Sequence, residues 1–578
     1  MNACSRNLLL VLLWLPIYGC LNSGAPTGTP SLTPSGKYPS QSIECHHGVV
    51  VSVSETASDV GISILKRGGN AVDAAVATAF ALAVTYPPAG NLGGGGFMLV
   101  HPAPGEGEPV SFVYRETAPA AARPNMFTKQ DTLYIHKAVA VPGTVRGFAL
   151  AHQRFGTLPW SQLLLPAVAL ARDGVTVDRS LADLLNTYLP VSLDHAEFQR
   201  VFGKPGGGLW VAGDRLVQPD LARTLQLLAD LGPDAFYKGP IAEGIVAEMA
   251  RGGGLITAAD LAGYQALEVK PLTTRYRGTY DVYVPPPPSA GGVCLLEELN
   301  MMETFDLKAW GRWSPKTLHV MAEVMRRANY DRARYLGDPA FVQIPAELTT
   351  PAYGHQLAKT IQLGQATRSK DLSTDLPQSQ PGSDTTHFSI IDHQGMAVAN
   401  TYTLERLWGT RIVVKNMGFL LNNNMFSFDL FPGIANTHGM VATARNGIAP
   451  GKRPLSSQTP TIVAQDGRVK LVTGSPGTHA IPNTILCLLV SLLDFGMPVQ
   501  TAIEAPRLSH EWLPDRITFE TPERFPEVMK SLNTLGHTVI RYGPRPQGDA
   551  QTIWVIKPNR YVGVADRRRN DKATASGY

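Results

Sequence analysis

Hydrophobic and polar positions fall into three regimes along the chain: mostly helix-spaced, then almost wholly polar, then alternating. In the first, a short strand over Gly48 to Ser54 leads to a helix over Ala57 to Arg67, whose Val60, Ile62, Ile64 and Leu65 fit one face and which Gly68-Gly69 ends. Asn70 is placed to cap the next helix, with Asp73 three residues on, where a carboxylate suits the positive helix end. That helix, Ala71 to Val84, is apolar on nearly every side and is expected to be buried until Pro87-Pro88 stops it. Strands are predicted over Phe97 to His101 and Val110 to Glu116. Helices follow over Thr144 to Phe155, Trp160 to Asp173, Ser180 to Tyr188, Pro219 to Leu231 and Pro240 to Arg251. Pro271 to Val284 alternates as a strand pair. Val293 to Glu303 and Lys316 to Tyr335 read as helices, the second charged and half exposed.

From Gln362 to Ser383 nearly every residue is polar, so the segment buries too little apolar surface to order itself. Beyond it the period drops to two. His387 to Ile391 and Met396 to Leu404 flank Asp392-His393-Gln394-Gly395, a hairpin signal. Pro460 to Ala464 with Val469 to Thr473, and Gln551 to Ile556 with Tyr561 to Val564, form two more. Helices over Ile481 to Phe495 and Val499 to Ala505 lie among them. Strands and helices segregated in this way predict a layered α+β architecture, with a sheet-on-sheet core covered by helices.

Composition narrows the class. At 578 residues, 44% hydrophobic and 17% charged, the chain is neither disordered nor fibrous. A net charge of +4 gives no strong pull toward nucleic acid or an anionic membrane surface. The closing Arg567-Arg568-Arg569 run reads as a solvated surface feature. Arg6 followed by apolar Leu8 to Leu15, too short to span a bilayer, makes residues 1–20 a secretion signal. Ile17-Tyr18-Gly19-Cys20 resembles a bacterial lipobox in which Cys20 is acylated; plain export to the periplasm or exterior is the alternative. Residues 21–46, rich in Gly, Ser, Thr and Pro, are expected to be a flexible tether. Cys45, Cys294 and Cys487 are scattered without a CxxC spacing, which argues against a zinc site or a disulfide framework. The adjacent Cys45-His46-His47 cannot all face one point on a strand, so no metal site is assigned.

The chemistry gathers at the junction of the polar and alternating regimes, Asp384-Thr385-Thr386-His387-Phe388-Ser389. A threonine hydroxyl needs a base, and its own α-amino group supplies one once the preceding peptide bond is cut. Such an amine has a pKa of roughly 7.7–8.0, so a useful fraction is neutral near pH 7. Cleavage between Asp384 and Thr385 divides the folded chain into residues 47–384 and 385–578. The glycine run at Gly93 to Gly96 follows a helix and leads into a strand, the reverse of a nucleotide-binding loop, and instead lets backbone approach a neighbour closely. Arg115, at a strand end, is able to hold a carboxylate by two parallel hydrogen bonds; on its own it reads as a surface ion pair.

Several stretches together resemble the γ-glutamyltransferase (glutathione hydrolase) family: Ile64 to Ala75, Gly93 to Phe97, Arg115-Glu116-Thr117-Ala118-Pro119, Pro142-Gly143-Thr144-Val145 and Pro285 to Gly292, then Thr385 to Ser389, Asn400 to Leu404, Leu420 to Asn423, Lys452 to Ser457 and Thr473 to Gly477. The resemblance implies the four-layer αββα N-terminal nucleophile hydrolase fold, with two stacked central sheets and two subunits made by self-cleavage. It implies no cofactor. It implies Thr385 as nucleophile, Thr403 as its orienting partner and the backbone N–H groups of Gly477 and Thr478 as oxyanion hole. Arg115, Ser456 and Ser457 would hold a γ-glutamyl α-carboxylate. The small-molecule substrates would be glutathione and related γ-glutamyl amides, with water, an amino acid or a peptide as acceptor. Three positions depart from the pattern. Asn424-Met425-Phe426-Ser427 puts Ser427 where an acidic residue clasps the α-amino group, Thr478 stands where glycine is commoner, and Glu405 stands where Asn is usual. Glu405 is expected to supply the missing negative charge. An amidase for glutaryl or other short dicarboxylic acyl groups is the alternative, and an inactive structural or binding relative a third reading.

Overall fold

A computed structural model of the chain describes residues 35–372, 384–431, 443–543 and 545–578. The secretion signal, Cys20 and most of the predicted tether lie outside the described residues. The strands, in chain order, are β1 (Gln41–Cys45), β2 (Val49–Ser52), β3 (Gly95–His101), β4 (Val110–Val113), β5 (Leu267–Val269), β6 (Leu272–Tyr276), β7 (Tyr280–Val284), β8 (Asp384–Ile391), β9 (Ala397–Glu405), β10 (Thr461–Gln465), β11 (Arg468–Thr473), β12 (Gln551–Lys557), β13 (Arg560–Ala565) and β14 (Thr574–Gly577). They form two seven-stranded antiparallel sheets, ordered β1-β13-β12-β11-β10-β7-β6 and β14-β2-β8-β9-β3-β4-β5.

Alternation along these strands builds the layers. In β2, Val49 and Val51 enter the apolar layer between the sheets while Val50 faces the helices. In β8 and β9, Ile391, Ala397 and Ala399 face the opposite sheet, and Ile390 and Val398 the helices. Helices Glu55–Lys66, Ala71–Thr85 and Thr144–Phe155 cover the sheet that holds β8. Helices Ala290–Met302, Pro315–Tyr335 and Ile481–Leu489 share the apolar core on the other side. The expected four-layer αββα arrangement is what the chain adopts.

Ala71–Thr85 is buried at every position, as its apolar circumference requires, and Asn70 and Asp73 form the reciprocal cap at its start. Asp73 also accepts from the Thr157 hydroxyl at 2.6 Å, which ties this helix to the end of the third. The Pro285-to-Gly292 run is shaped by proximity: a Cβ at Gly291 would strike the carbonyl of Ser457.

Four expectations are corrected. The end of the predicted tether is ordered, because β1 pairs along its whole length with β13. The polar stretch from Gln362 is fixed through Leu372, where the Ser369 hydroxyl donates to Trp512 O at 2.6 Å and Ala366 N to Leu535 O at 2.7 Å; polar chain orders here by hydrogen bonding to a neighbour. Its remainder, 373–383, lies outside the described residues. The charged helix Pro315–Tyr335 is mostly buried, since Glu323 is ion-paired to both Arg326 and Arg327. Arg568 is not a solvated surface residue: it is 2% exposed and bonds Asp566 and Glu520 at 3.0 and 2.6 Å, and Arg507 also pairs with Asp566. Periodicity does not register the Arg568–Glu520 pair, whose members are distant in sequence, whereas Glu323 meets Arg326 and Arg327 at i,i+3 and i,i+4 on one helix, a spacing that the sequence does offer. Removing one member of a buried cluster strands its partners, so Arg568→Ala is expected to cost roughly 3–5 kcal/mol, read as a lower urea midpoint.

Candidate active site

The pairing of β8 with β9 is irregular at the junction residue: Asp384 lies opposite Glu405, but Thr386 lies opposite Tyr402. Strand β9 thus spends three steps against two, and Thr385 faces the Thr403-Leu404 step across a bulge. Of Asp384 only the backbone is described. On its other edge β9 pairs with β3 through the glycine run, where Thr403 lies opposite Gly95. A Cβ at Gly94 would collide with the Thr403 carbonyl, and one at Gly96 with the Thr401 carbonyl. The glycines therefore let one backbone close on another, and the strand they clamp carries Thr403.

One cavity collects Thr385, Thr403, Glu405, Arg115, Ser427, Ser456, Ser457, Gly477 and Thr478. Nine predicted site residues from distant parts of the sequence thereby share a single space. Asn424 does not line it but stands directly behind: buried, it donates to Glu116 at 2.6 Å and accepts from the Ser427 hydroxyl at 3.1 Å. Arg115, 1% exposed, is no surface ion pair. It donates to Glu116 at 3.0 Å, to the Ser427 hydroxyl at 3.0 Å and to the carbonyls of Pro454 and Leu455 at 3.2 and 3.4 Å. Glu405 approaches the same guanidinium at 4.0 Å. Its φ of +82° is a strained conformation for a glutamate, which the Glu405 N–H bond to the Thr403 hydroxyl at 2.8 Å helps to fix.

Gly477 has φ +150° and precedes the helix Ile481–Leu489, whose first residue also lines the cavity. Backbone N–H groups before a helix start lie at its positive end, which suits a developing oxyanion. Ser457 Oγ is buried without a hydrogen-bond partner among the described residues and so has capacity to spare for a ligand. His387 is a rival base near the nucleophile, but burial pushes its pKa down to about 3. Both its nitrogens are engaged, to the Thr401 and Ser389 hydroxyls at 2.8 and 3.0 Å. His387 therefore serves as structural support between two hydroxyls.

Sequence reasoning missed Arg332, Asp429, Asn446 and His479, which line the same cavity. Asn446 braces the walls, donating to Ser427 O at 2.8 Å and accepting from Leu455 N at 2.9 Å. Only the fold brings Arg332 and Asn446 to this space, whereas Asp429 and His479 lie two and one residues beyond the predicted Ser427 and Thr478, an adjacency that could have found them. His319, Glu323 and His537 also converge, all buried. His319 Nδ1 bonds His537 Nε2 at 2.7 Å, His319 Nε2 meets the Gln362 carbonyl at 2.9 Å and Glu323 is taken by two arginines, so the facing atoms are engaged with one another and with protein partners, while His537 Nδ1 has no hydrogen-bond partner among the described residues.

The Gamma-glutamyltranspeptidase family profile matches residues 57–576. This chain belongs to the gamma-glutamyltranspeptidase family. Among its relatives, a glutathione hydrolase proenzyme of Escherichia coli (strain K12) is 44% identical over 545 residues, covering 93% of each chain. An acylase ACY 1 proenzyme of Pseudomonas sp. (strain SE83) is 37% identical over 534 residues, covering 90% of this chain and 91% of that one. The solved cephalosporin acylase from Bacillus halodurans superposes with a TM-score of 0.81 at 25% identity, covering 96% of this chain and 99% of its own. The fold is that of the N-terminal nucleophile hydrolases.

Burial pushes the Glu116 carboxyl up to about 7, against the pull of the Arg115 guanidinium. As pH falls through that value Glu116 takes up a proton, and the Arg115–Asn424 anchor loses its anionic centre. The inhibition constant of a non-reacting glutamate analogue should therefore rise between about pH 8 and about pH 6, with the bend absent in Glu116→Gln.

Proposed function

We propose that this transpeptidase-family chain cuts itself between Asp384 and Thr385, giving subunits 47–384 and 385–578, and then transfers the γ-glutamyl group of glutathione and related amides through Thr385. The observation that carries this reading is the single cavity in which Thr385 meets Thr403, the Gly477-Thr478 backbone and the Arg115 network. In the cut protein the Thr385 amine takes the hydroxyl proton and the oxygen attacks the γ-carbonyl. The oxyanion rests on the N–H groups of Gly477 and Thr478. The C–N bond then breaks, the amine leaves with the proton, and an ester to Thr385 remains. Water or an amino acid or peptide amine releases the acyl group by the same steps in reverse. Residues 1–20 direct export to the periplasm or exterior, with Cys20 as a point of lipid attachment. Among the described residues no helix is long and apolar enough to cross a membrane.

Glu405 is the residue we assign to the substrate's α-ammonium. Ser427 donates no charge, and its hydroxyl already serves Arg115 and Asn424. Glu405 lines the cavity in a backbone conformation that an Asn tolerates better, which is a cost without an evident structural return. The competing reading, an amidase for glutaryl or other dicarboxylic acyl groups, is favoured by the same loss of an acidic residue at 427. Anilides decide between them: matured protein should release amine from the γ-glutamyl anilide in preference to the glutaryl and succinyl ones. Glu405→Gln should raise KM for the γ-glutamyl substrate about tenfold or more beyond any change for the glutaryl substrate, the worth of one charged hydrogen bond. Equal changes in both would remove Glu405 from the role, and a wild-type preference for glutaryl would establish the amidase.

A further inference from the structure

Four large apolar side chains of the helical region stand in water: Val191, Leu193, Leu209 and Val211 are between 56% and 73% exposed. Single exposed apolar residues are ordinary, but a group of them in one place marks a surface for a partner. These four belong together. Leu189 to His195 and Gly203 to Gly213 are the two loops that flank the short helix Ala196–Phe202. Gln199 on that helix donates to Leu189 O at 2.7 Å and to Ser192 O at 3.1 Å. Asn186, just before the first loop, donates to Trp210 O at 2.8 Å and accepts from Trp210 N at 2.9 Å, which ties the second loop to the root of the first.

The exposure does not come from slack chain. Arg411 donates to Val191 O at 2.6 Å and stacks on the Tyr134 ring, and His195 meets Tyr134 O at 3.2 Å. In the second loop Trp210 is buried and donates to Phe202 O at 2.9 Å, which leaves Leu209 and Val211 outside on either side of it. Charge is nearly balanced here. Residues 189–214 hold two bases against three acids; Lys204 pairs with Asp214 at 2.7 Å and Arg200 with Glu197 at 2.8 Å, while Asp194 is exposed, as is Asp183 on the preceding helix. Such a surface suits neither nucleic acid nor an anionic headgroup layer, and attraction to it is apolar.

The N-terminal segment points to the occupant. Ser35 to Tyr38 line one cavity together with Ser180, Asp183 and Leu184 of the helix Arg179–Tyr188, the helix that leads into the first loop. Leu184 stands only about 6 Å along that helix from its end. Fifteen residue steps separate Cys20 from Ser35, a reach of at most about 50 Å. A lipid on Cys20 therefore keeps a bilayer within reach of the side that presents the apolar loops.

We propose that Val191, Leu193, Leu209 and Val211 dock on a phospholipid bilayer, the one that holds the Cys20 lipid, with their side chains entering its acyl region. The inference rests on the export and lipid attachment assigned to residues 1–20 and is independent of the chemistry at Thr385. A tether alone leaves the body free to turn, whereas contact through two pinned loops fixes its orientation. Trp408, in the turn after Glu405, packs on Phe198 and Phe202 at 5.3 and 5.0 Å, so the docking surface is continuous with a wall of the acyl pocket.

The test incubates matured full-length protein with phosphatidylcholine vesicles whose acyl chains carry a photoactivatable diazirine, then maps crosslinked peptides by mass spectrometry. Crosslinks should fall within residues 189–214, with a yield that does not change on adding salt, as an apolar contact requires. Leu193→Ser with Leu209→Ser should lower that yield about tenfold or more, since each apolar side chain withdrawn from lipid forfeits at least that factor. Anilide turnover of the double variant should equal that of the wild type, which reports an intact fold. The mass of the N-terminal peptide reports acylation separately: unacylated protein that still crosslinks at these loops removes the lipid from Cys20 and keeps the docking surface. Acylated protein crosslinked only beside Cys20, no crosslink at all, or an undiminished yield in the double variant overturns the proposal. Self-association in solution that the double variant abolishes, without lipid crosslinks, assigns the surface to a second copy of the chain instead.

Discussion

Thr385 can act as nucleophile and carry its own base only if the chain begins at that residue and if that beginning is held rigidly beside an oxyanion cradle. The sheet stacking meets the second condition. Strand β8 lies in the centre of one sheet, its bulge turns Thr385 toward the Thr403-Leu404 step, and β9 is pressed onto the glycine run of β3. The Gly477-Thr478 segment follows β11 of the opposite sheet and leads into the helix Ile481–Leu489. The distance between nucleophile and cradle is thus set by the apolar layer of Val49, Leu99, Ile462, Val472 and Ile553 between the sheets, and packed interiors of this kind yield little.

The specificity side of the site shows how a charge can be relocated. Ser427 stands where the resemblance implies an acid for the substrate's α-amino group, and its hydroxyl accepts from Arg115 at 3.0 Å. Two carboxylates lie near Arg115: Glu116, buried beside it, and Glu405, at the end of β9. Glu116 and Asn424 then form the back wall of the pocket, while Glu405 faces the space in front.

Long regular elements were readable from sequence because local and global preferences agree in them. Helices Thr144–Phe155, Trp160–Asp173 and Pro219–Leu231 keep the predicted ends, each with Pro or Gly at a boundary. The apolar helix after Asn70 was legible from its cap and composition alone. Short edge strands were not: β1 and β14 carry few apolar residues and exist because a partner strand completes their hydrogen bonds. The buried Arg568 was misread for the same reason, since its partner Glu520 lies on another element. In the site, the residues within long motifs were found; Arg332 and Asn446 were not, because only tertiary contact gives them a role, and Asp429 and His479, next to predicted residues, were passed over for want of a motif of their own.

The central claim concerns a single peptide bond. Intact-mass measurement and N-terminal sequencing of purified, active protein should find two chains, the smaller beginning Thr-Thr-His-Phe-Ser from Thr385. Activity retained by a chain in which Asp384 is still joined to Thr385 would contradict the account, because the hydroxyl would then work without the amine assigned as its base.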